Sequence, residues 1–249
     1  MAVREWDGPR YDRLAGPQTQ MGLRVLERLD LAGDECVIDA GCGSGRITAA
    51  LVRRVPRGRV IGVDASPSMI EMARSRLGPD VDLRVCDLLE LDVGEPVDAV
   101  LSTATFHWIS DHERLFARLR RALRPGGRLV AQCGGEGNIA RVRDAAGAVA
   151  QREPYAAHLA VWVDPREYAG AEQTEARLLG AGFSYASCWL APVDAQLREP
   201  REFLQTIVLA PQLDALPEDL RERYLDDVLA RLGRRVVADY VRLNIDAVA

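Results

Sequence analysis

A chain of 249 residues, 48% hydrophobic and 28% charged, can bury around three quarters of the surface its extended form exposes, so it needs no disulfide or metal staple. Its basic residues are all arginine, which excludes a pyridoxal enzyme, a Schiff-base aldolase and a Walker-type P-loop, each of which needs a lysine amine. A net charge of −5 argues against nucleic acid as a partner, no apolar run reaches the roughly 18 residues of a spanning helix, and the N-terminus lacks the apolar core of a signal peptide; a cytoplasmic protein is expected, with neither nucleic acid nor membrane as partner.

Taken in chain order, Met21, Val25, Leu26 and Leu29 recur at helical spacing and predict a helix over 18–29. Ahead of it, Trp6 to Arg13 is too rich in turn formers to be core secondary structure. Val37-Ile38-Asp39-Ala40 reads as a buried strand entering Gly41-Cys42-Gly43-Ser44-Gly45. Glycines at alternate positions let backbone pass close to a ligand, and the helix predicted from about Arg46 to Arg54 points its free N–H groups at the same spot. The strand Arg59 to Asp64 ends in a carboxylate 19 positions after Gly45, suited to the two hydroxyls of a ribose. Ser66 caps the next helix, with Pro67 at its first position.

Strands are then expected at 81–85, 97–102 and 128–133. Before the last lies a helix with Leu115, Leu119 and Leu123 as its apolar stripe and Arg118, Arg120, Arg121 and Arg124 as a solvated face. Gly134 to Asn138 forms a hinge or substrate loop. A helix at 138–151, a strand at 183–190 and a helical insertion from Pro200 to Gly233 follow, and Val236 to Ala247 is a final strand returning between the fifth and sixth. The pattern predicts an α/β fold: a Rossmann-like seven-stranded mostly parallel sheet with helices on both faces and a helical lid insertion. The expected organisation is a single domain over 1–249, with an N-terminal cap segment (1–33), a cofactor-binding core (34–135) and a substrate-side half (136–249) whose insertion covers about 198–233.

Cys36, Cys42, Cys86, Cys133 and Cys188 are odd in number and form no C-x-x-C pair, so they read as reduced, packed thiols. His107, His112 and His158 belong to no ligand cluster, and no metal is expected.

Spacing identifies the ligand class. A dinucleotide fingerprint requires a third small residue where this chain has Arg46. Gly41, Gly43 and Gly45 form G-x-G-x-G, which resembles motif I of the class I S-adenosylmethionine-dependent methyltransferases. Asp64-Ala65-Ser66-Pro67-Ser68-Met69-Ile70 is similar to the end of that family's second strand, Cys86-Asp87-Leu88 to its adenine-contacting turn, and Leu123 to Leu129 to its turn into strand five. The resemblance implies S-adenosyl-L-methionine as cofactor. Gly41 and Gly43 would lie against its methionine moiety with Gly45 also in the binding loop, Asp39 near its polar end, Asp64 and Ala65 at the ribose, and Asp87 with Leu88 at the adenine. Thr103 would line the strand-four end, and Tyr11 and Gln20 would approach from the N-terminal segment. The residues also permit plainer roles: Asp64 or Asp87 as a helix cap, Tyr11 and Gln20 as packing or surface.

Methyl transfer is an in-line displacement whose rate comes mostly from positioning. The reactive methyl should emerge at Ser102-Thr103-Ala104-Thr105-Phe106-His107-Trp108, where His107 is a general base for a hydroxyl acceptor, a donor orienting a carboxylate, or a packing residue, and Trp108 is pocket wall. Trp6 to Tyr11, Phe106 to His112 and the late insertion make the chain similar to the trans-aconitate methyltransferases and related small-acid O-methyltransferases. That resemblance implies methylation of a small carboxylic acid, with His107 catalytic and His107 and Trp108 against the substrate. The polyacid clamp such an enzyme needs is not evident; Arg201, Arg221 and Arg223 are indistinguishable from surface. Methylation of a phenol, carbon or nitrogen of a small metabolite, methylation of a macromolecule, and a non-enzymatic adenosine-binding interaction protein are the competing readings.

Overall fold

The computed structural model describes Gly8, Asp12, Arg13 and residues 16–197 and 199–249. Its sheet has seven strands in the order β3-β2-β1-β4-β5-β7-β6. Chain order gives α1 (Gly16–Glu27), β1 (Cys36–Ala40), α2 (Arg46–Arg54), β2 (Arg59–Asp64), α3 (Pro67–Leu77), β3 (Asp82–Val85), β4 (Val97–Thr103), α4 (His112–Ala122) and β5 (Leu123–Gly134). There follow α5 (Ala140–Ala150), α6 (Ala156–Leu159), α7 (Ala171–Gly180), β6 (Tyr185–Gln196), α8 (Pro200–Phe203), α9 (Ala210–Asp214), α10 (Glu218–Leu232) and β7 (Val237–Val248). β1 pairs in parallel with β2 and β4, and β4 with β5, whereas β7 runs antiparallel to β5 with Arg128 opposite Val248 and Gly134 opposite Arg242. The final strand thus sits between the fifth and sixth, as its position in the sequence predicts.

Strands buried on both faces must be apolar at successive positions, and the alternation sorts them. Val37, Val60, Ala99, Leu101 and Val130 face one way and pack with Val25, Leu26 and Leu29 of α1 and Ile47, Ala50 and Leu51 of α2. Ile38, Ile61, Val63, Val100 and Leu129 face the other way and meet Leu115, Phe116 and Leu119 of α4, Leu178 of α7 and Leu243 and Ile245 of β7. Leu123 is a correction: it is not the end of the α4 stripe but the first residue of β5, paired with Val97. Pro125 two positions on cannot continue a helix, and the residues before it already turn to extended backbone. Helix α7 carries little sequence signal because it buries only Thr174 and Leu178.

The chain divides into two compact units. The first runs up to Glu136 and takes in Glu167–Ala191 and Arg242–Ala249; the second is Gly137–Arg166 with Pro192–Val241. Within the second, Tyr155 and Tyr224 meet edge to face at 5.1 Å. Both hydroxyls find acceptors, Tyr155 on Asp227 at 2.7 Å and Tyr224 on the Ala146 carbonyl at 2.9 Å, as buried phenols require. Arg201 pairs with Glu222 and Asp226, and Arg221 donates to the Leu216 carbonyl, so both are engaged within that unit's helices.

The start of α3 follows its sequence signature: Ser66, 1% exposed, accepts the Met69 N–H, with proline at the first turn. Ser66→Ala is expected to lower the unfolding free energy by about 1 kcal/mol, seen as a reduced urea midpoint at unchanged slope.

Candidate cofactor and acceptor site

The first unit builds its site where β1, β2 and β4 end. Gly41 and Cys42 donate their N–H groups to the Val63 carbonyl at 2.7 and 3.0 Å, and Gly43 donates to Asp64 Oδ2 at 2.9 Å. Asp64 Oδ1 accepts the Ser66 N–H at 2.9 Å. Gly41, Gly43 and Gly45 have φ of 80°, 53° and 80°, the left-handed region that other residues enter only at a cost. Their missing side chains serve different ends. A Cβ on Gly41 would stand 2.1 Å from Thr105 Oγ1, so this glycine lets the β4 loop close on the β1 loop. A Cβ on Gly43 would meet nothing within 4 Å, so there the bare backbone faces open space.

Asp39 lies beneath this loop, 1% exposed. Thr48 Oγ1 donates to its Oδ2 at 2.7 Å, while Oδ1 has no hydrogen-bond partner among the described residues. Burial pushes its pKa up to about 7, against the Thr48 hydrogen bond and with a further push from the Asp64 charge. An orphaned, enclosed carboxylate oxygen under an open glycine backbone fits a ligand that brings an ammonium group, as the amino-acid end of S-adenosylmethionine does.

The other expected cofactor residues are distributed as follows. Asp64 is half-buried at the tip of β2, with Ala65 beside it. Its two backbone hydrogen bonds show that the turn role is real. Asp87 is exposed and caps the 3₁₀ turn Leu88–Glu90 through the Leu89 N–H at 2.9 Å, while Leu88 is buried. Thr103 ends β4 opposite Gln132 and neighbours Gly22 of α1. Gln20 is exposed on that helix. Tyr11 lies outside the described residues, as does Trp6.

One cluster has no sequence signature. Asp12 receives Arg46 Nε at 2.6 Å, Arg76 Nη2 at 2.8 Å and the Ser44 hydroxyl at 2.5 Å. Burial disfavours its charge, but hydrogen bonds from Arg46, Ser44 and Arg76 win and hold the carboxyl far below the usual range. Arg46, notable in the sequence only as the residue that spoils a dinucleotide pattern, therefore fastens Asp12 beside the glycine loop. Nearby, a Cβ on Gly8 would collide with Met72 Sδ, so Gly8 lies tight on α3.

On the acceptor side, Ala104 takes a positive φ of 58° after β4, and a 3₁₀ turn at Phe106–Trp108 follows. His107 is 8% exposed and its Nδ1 accepts the Gly134 N–H at 3.3 Å. That hydrogen bond puts the ring proton on Nε2. Tyr168, which no sequence signal singled out, stacks on the imidazole at 5.8 Å and 14°, and Trp108 flanks it at 5.3 Å. His112 is fixed in a separate structural role, between the Phe106 carbonyl (3.0 Å) and Arg177 Nη1 (3.2 Å). Among the described residues no group of three or more His, Cys, Asp or Glu is arranged to hold a metal, and no helix is long and apolar enough to cross a membrane.

A family model described as a methyltransferase domain matches residues 37–127. The chain is 32% identical to the trans-aconitate 2-methyltransferase of Methylobacterium nodulans over 230 residues, 90% of this chain and 87% of that one. To the trans-aconitate 2-methyltransferase of an Azoarcus species it is 40% identical over 127 residues, spanning about half the length of that relative (50%) and 51% of this chain. Among solved structures it is similar to phosphoethanolamine N-methyltransferase 2 of Haemonchus contortus in complex with phosphomonomethylethanolamine and S-adenosylhomocysteine, with a TM-score of 0.59, 20% identity, and coverage of 96% of this chain and 56% of that one.

Two outcomes follow from the cradle. The Asp39 pKa in the folded chain is raised above its unfolded value, so the stability this residue contributes is present at acid pH and is lost as pH rises towards about 7. Asp39→Asn should therefore be more stable than wild type at pH 8 by about 4 kcal/mol and nearly equal to it at pH 4, a difference that thermal melts across pH will show. Asp64→Ala removes the acceptor of two backbone N–H groups and should cost about 1–3 kcal/mol of unfolding free energy in urea titrations.

Proposed function

The chain belongs to the class I S-adenosylmethionine-dependent methyltransferases, and we propose that it moves the cofactor's methyl group to a carboxylate oxygen of a small organic acid. The observation that carries this reading is the protonation state imposed on His107. With Nδ1 accepting from Gly134, the imidazole presents an Nε2 proton, which can orient an anionic acceptor and cannot remove a proton from a neutral one. A carboxylate is already ionised at neutral pH and needs no base. Similarity over nine-tenths of the chain to an enzyme named trans-aconitate 2-methyltransferase supports the same acceptor class.

When bound, the cofactor would supply a methyl activated on a sulfonium, whose transfer to a carboxylate oxygen would leave a neutral thioether and a neutral ester. No proton moves. The chain's contribution is therefore placement and exclusion of water. We assign Asp39 Oδ1 to the cofactor's ammonium group, the Gly41–Gly45 backbone to the methionine portion, Asp64 to the ribose hydroxyls, and Asp87 with Leu88 to the adenine. His107 holds the acceptor carboxylate, with Trp108 and Tyr168 as the walls that keep the imidazole in plane. Five free thiols support a reducing, cytoplasmic setting, and the acidic charge balance supports a small molecule over nucleic acid as acceptor.

The test is a panel of small mono-, di- and tricarboxylic acids beside phenols and alcohols, following release of S-adenosylhomocysteine. Carboxylic acids should turn over. At saturating cofactor, kcat/KM for the acid should stay flat between pH 6 and 8, and His107→Ala should lower it about 10²-fold with cofactor affinity unchanged. A phenol as preferred acceptor, or a rate that climbs with pH through the imidazole range, would overturn the assignment.

A further inference from the structure

The second compact unit holds a cleft of about 670 Å³ that the methyltransferase chemistry does not use, within the 300–1,000 Å³ range of small-molecule sites. One face of α5 forms a wall, with Gly147 at its middle. A Cβ on Gly147 would meet nothing within 4 Å. Glycine inside a helix is less stable than alanine and here avoids no clash, so its effect on the structure is to leave the cleft wide.

Opposite stand Val208, Leu209 and Gln212, carried by a π-helical turn at Leu204–Val208 and by α9. A π-turn is rare and often marks a functional site. Gln212 is 7% exposed and lines the cleft. A glutamine amide carries one acceptor oxygen and two N–H donors, which suits a ligand bearing one hydroxyl or amide.

Charge narrows the ligand further. Two arginines and two aspartates line the cleft, and Asp164 accepts from Nε and Nη2 of Arg166 at 2.7 and 2.8 Å, with Arg143 at 3.7 Å. The lining is balanced and offers no cationic surplus, so an anion entering it would be desolvated without compensation. Trp162 adds an aromatic wall at the rim, between the exposed Val161 and Val163.

We propose that this cleft binds a small uncharged aromatic or alicyclic compound through one hydroxyl or amide held by Gln212, making it a ligand site of different chemistry from the carboxylate acceptor. Trp162 provides the readout. Titrating the full chain with phenol and with benzamide should change its tryptophan fluorescence saturably at millimolar concentration or below, and Trp162→Phe should remove that signal. Gly147→Phe, which fills the cleft, should abolish binding, and Gln212→Leu, which keeps the volume and removes the amide, should weaken it at least tenfold. Thermal melts verify that each variant is folded. Tricarballylate, the polyacid control, should not compete. Absence of a saturable response, binding unaltered by Gln212→Leu, or displacement of phenol by tricarballylate would each overturn the proposal.

Discussion

The Val63 carbonyl, at the end of β2, accepts two N–H groups from the loop that leaves β1, and the Asp64 carboxylate beside it accepts a third from Gly43. These bonds prolong the parallel pairing of β1 and β2 past the point where the strands stop, with the loop taking the place of a strand. The loop then has no conformational freedom of its own: its left-handed residues must be glycine, and the helix that follows must start where Gly45 releases it. A substitution at the tip of β2 is thus felt first in the loop after β1, although the two are far apart in sequence.

The other wall depends on β4. The Ser102 hydroxyl binds the Ala40 carbonyl at 2.6 Å, and Thr105 Oγ1 reaches the Gly41 carbonyl at 3.3 Å, so β4 is laced to the glycine loop before it turns. Ala104 then adopts a backbone angle that a side chain disfavours, held there by its N–H bond to Gln132 at 2.7 Å. The turn delivers His107 to the end of β5, where the Gly134 N–H fixes its tautomer. The glycine loop and His107 therefore rest on neighbouring strand ends of a single sheet.

The sequence made the sheet legible because strands buried on both faces leave unbroken apolar runs and because parallel connections need helices between them. Asp39, the three glycines, Asp64 and Thr103 were readable for a related reason: each stands at a strand end or in the turn beyond it. What stayed hidden depends on proximity in space between residues remote in sequence. Asp12 with Arg46 and Arg76, Tyr168 on His107, and Gln212 facing α5 carry no periodicity or spacing that a reader could count. Leu123 was misplaced because its i, i+4 relation to Leu119 is real, while its pairing with Val97 is visible only once β4 lies alongside. His107 was legible as a residue and illegible as a chemical species, since its tautomer depends on a backbone N–H 27 positions away.

The Asp12 clasp also bears on the order in which the molecule can be assembled. The partners of its carboxylate lie 34 and 64 residues downstream. Arg76 sits in the last turn of α3, so the clasp cannot close before β1, α2, β2 and that helix exist as a unit. The clasp is therefore a late, long-range contact within the β1–α3 region, one that locks that region once formed and cannot help to nucleate it.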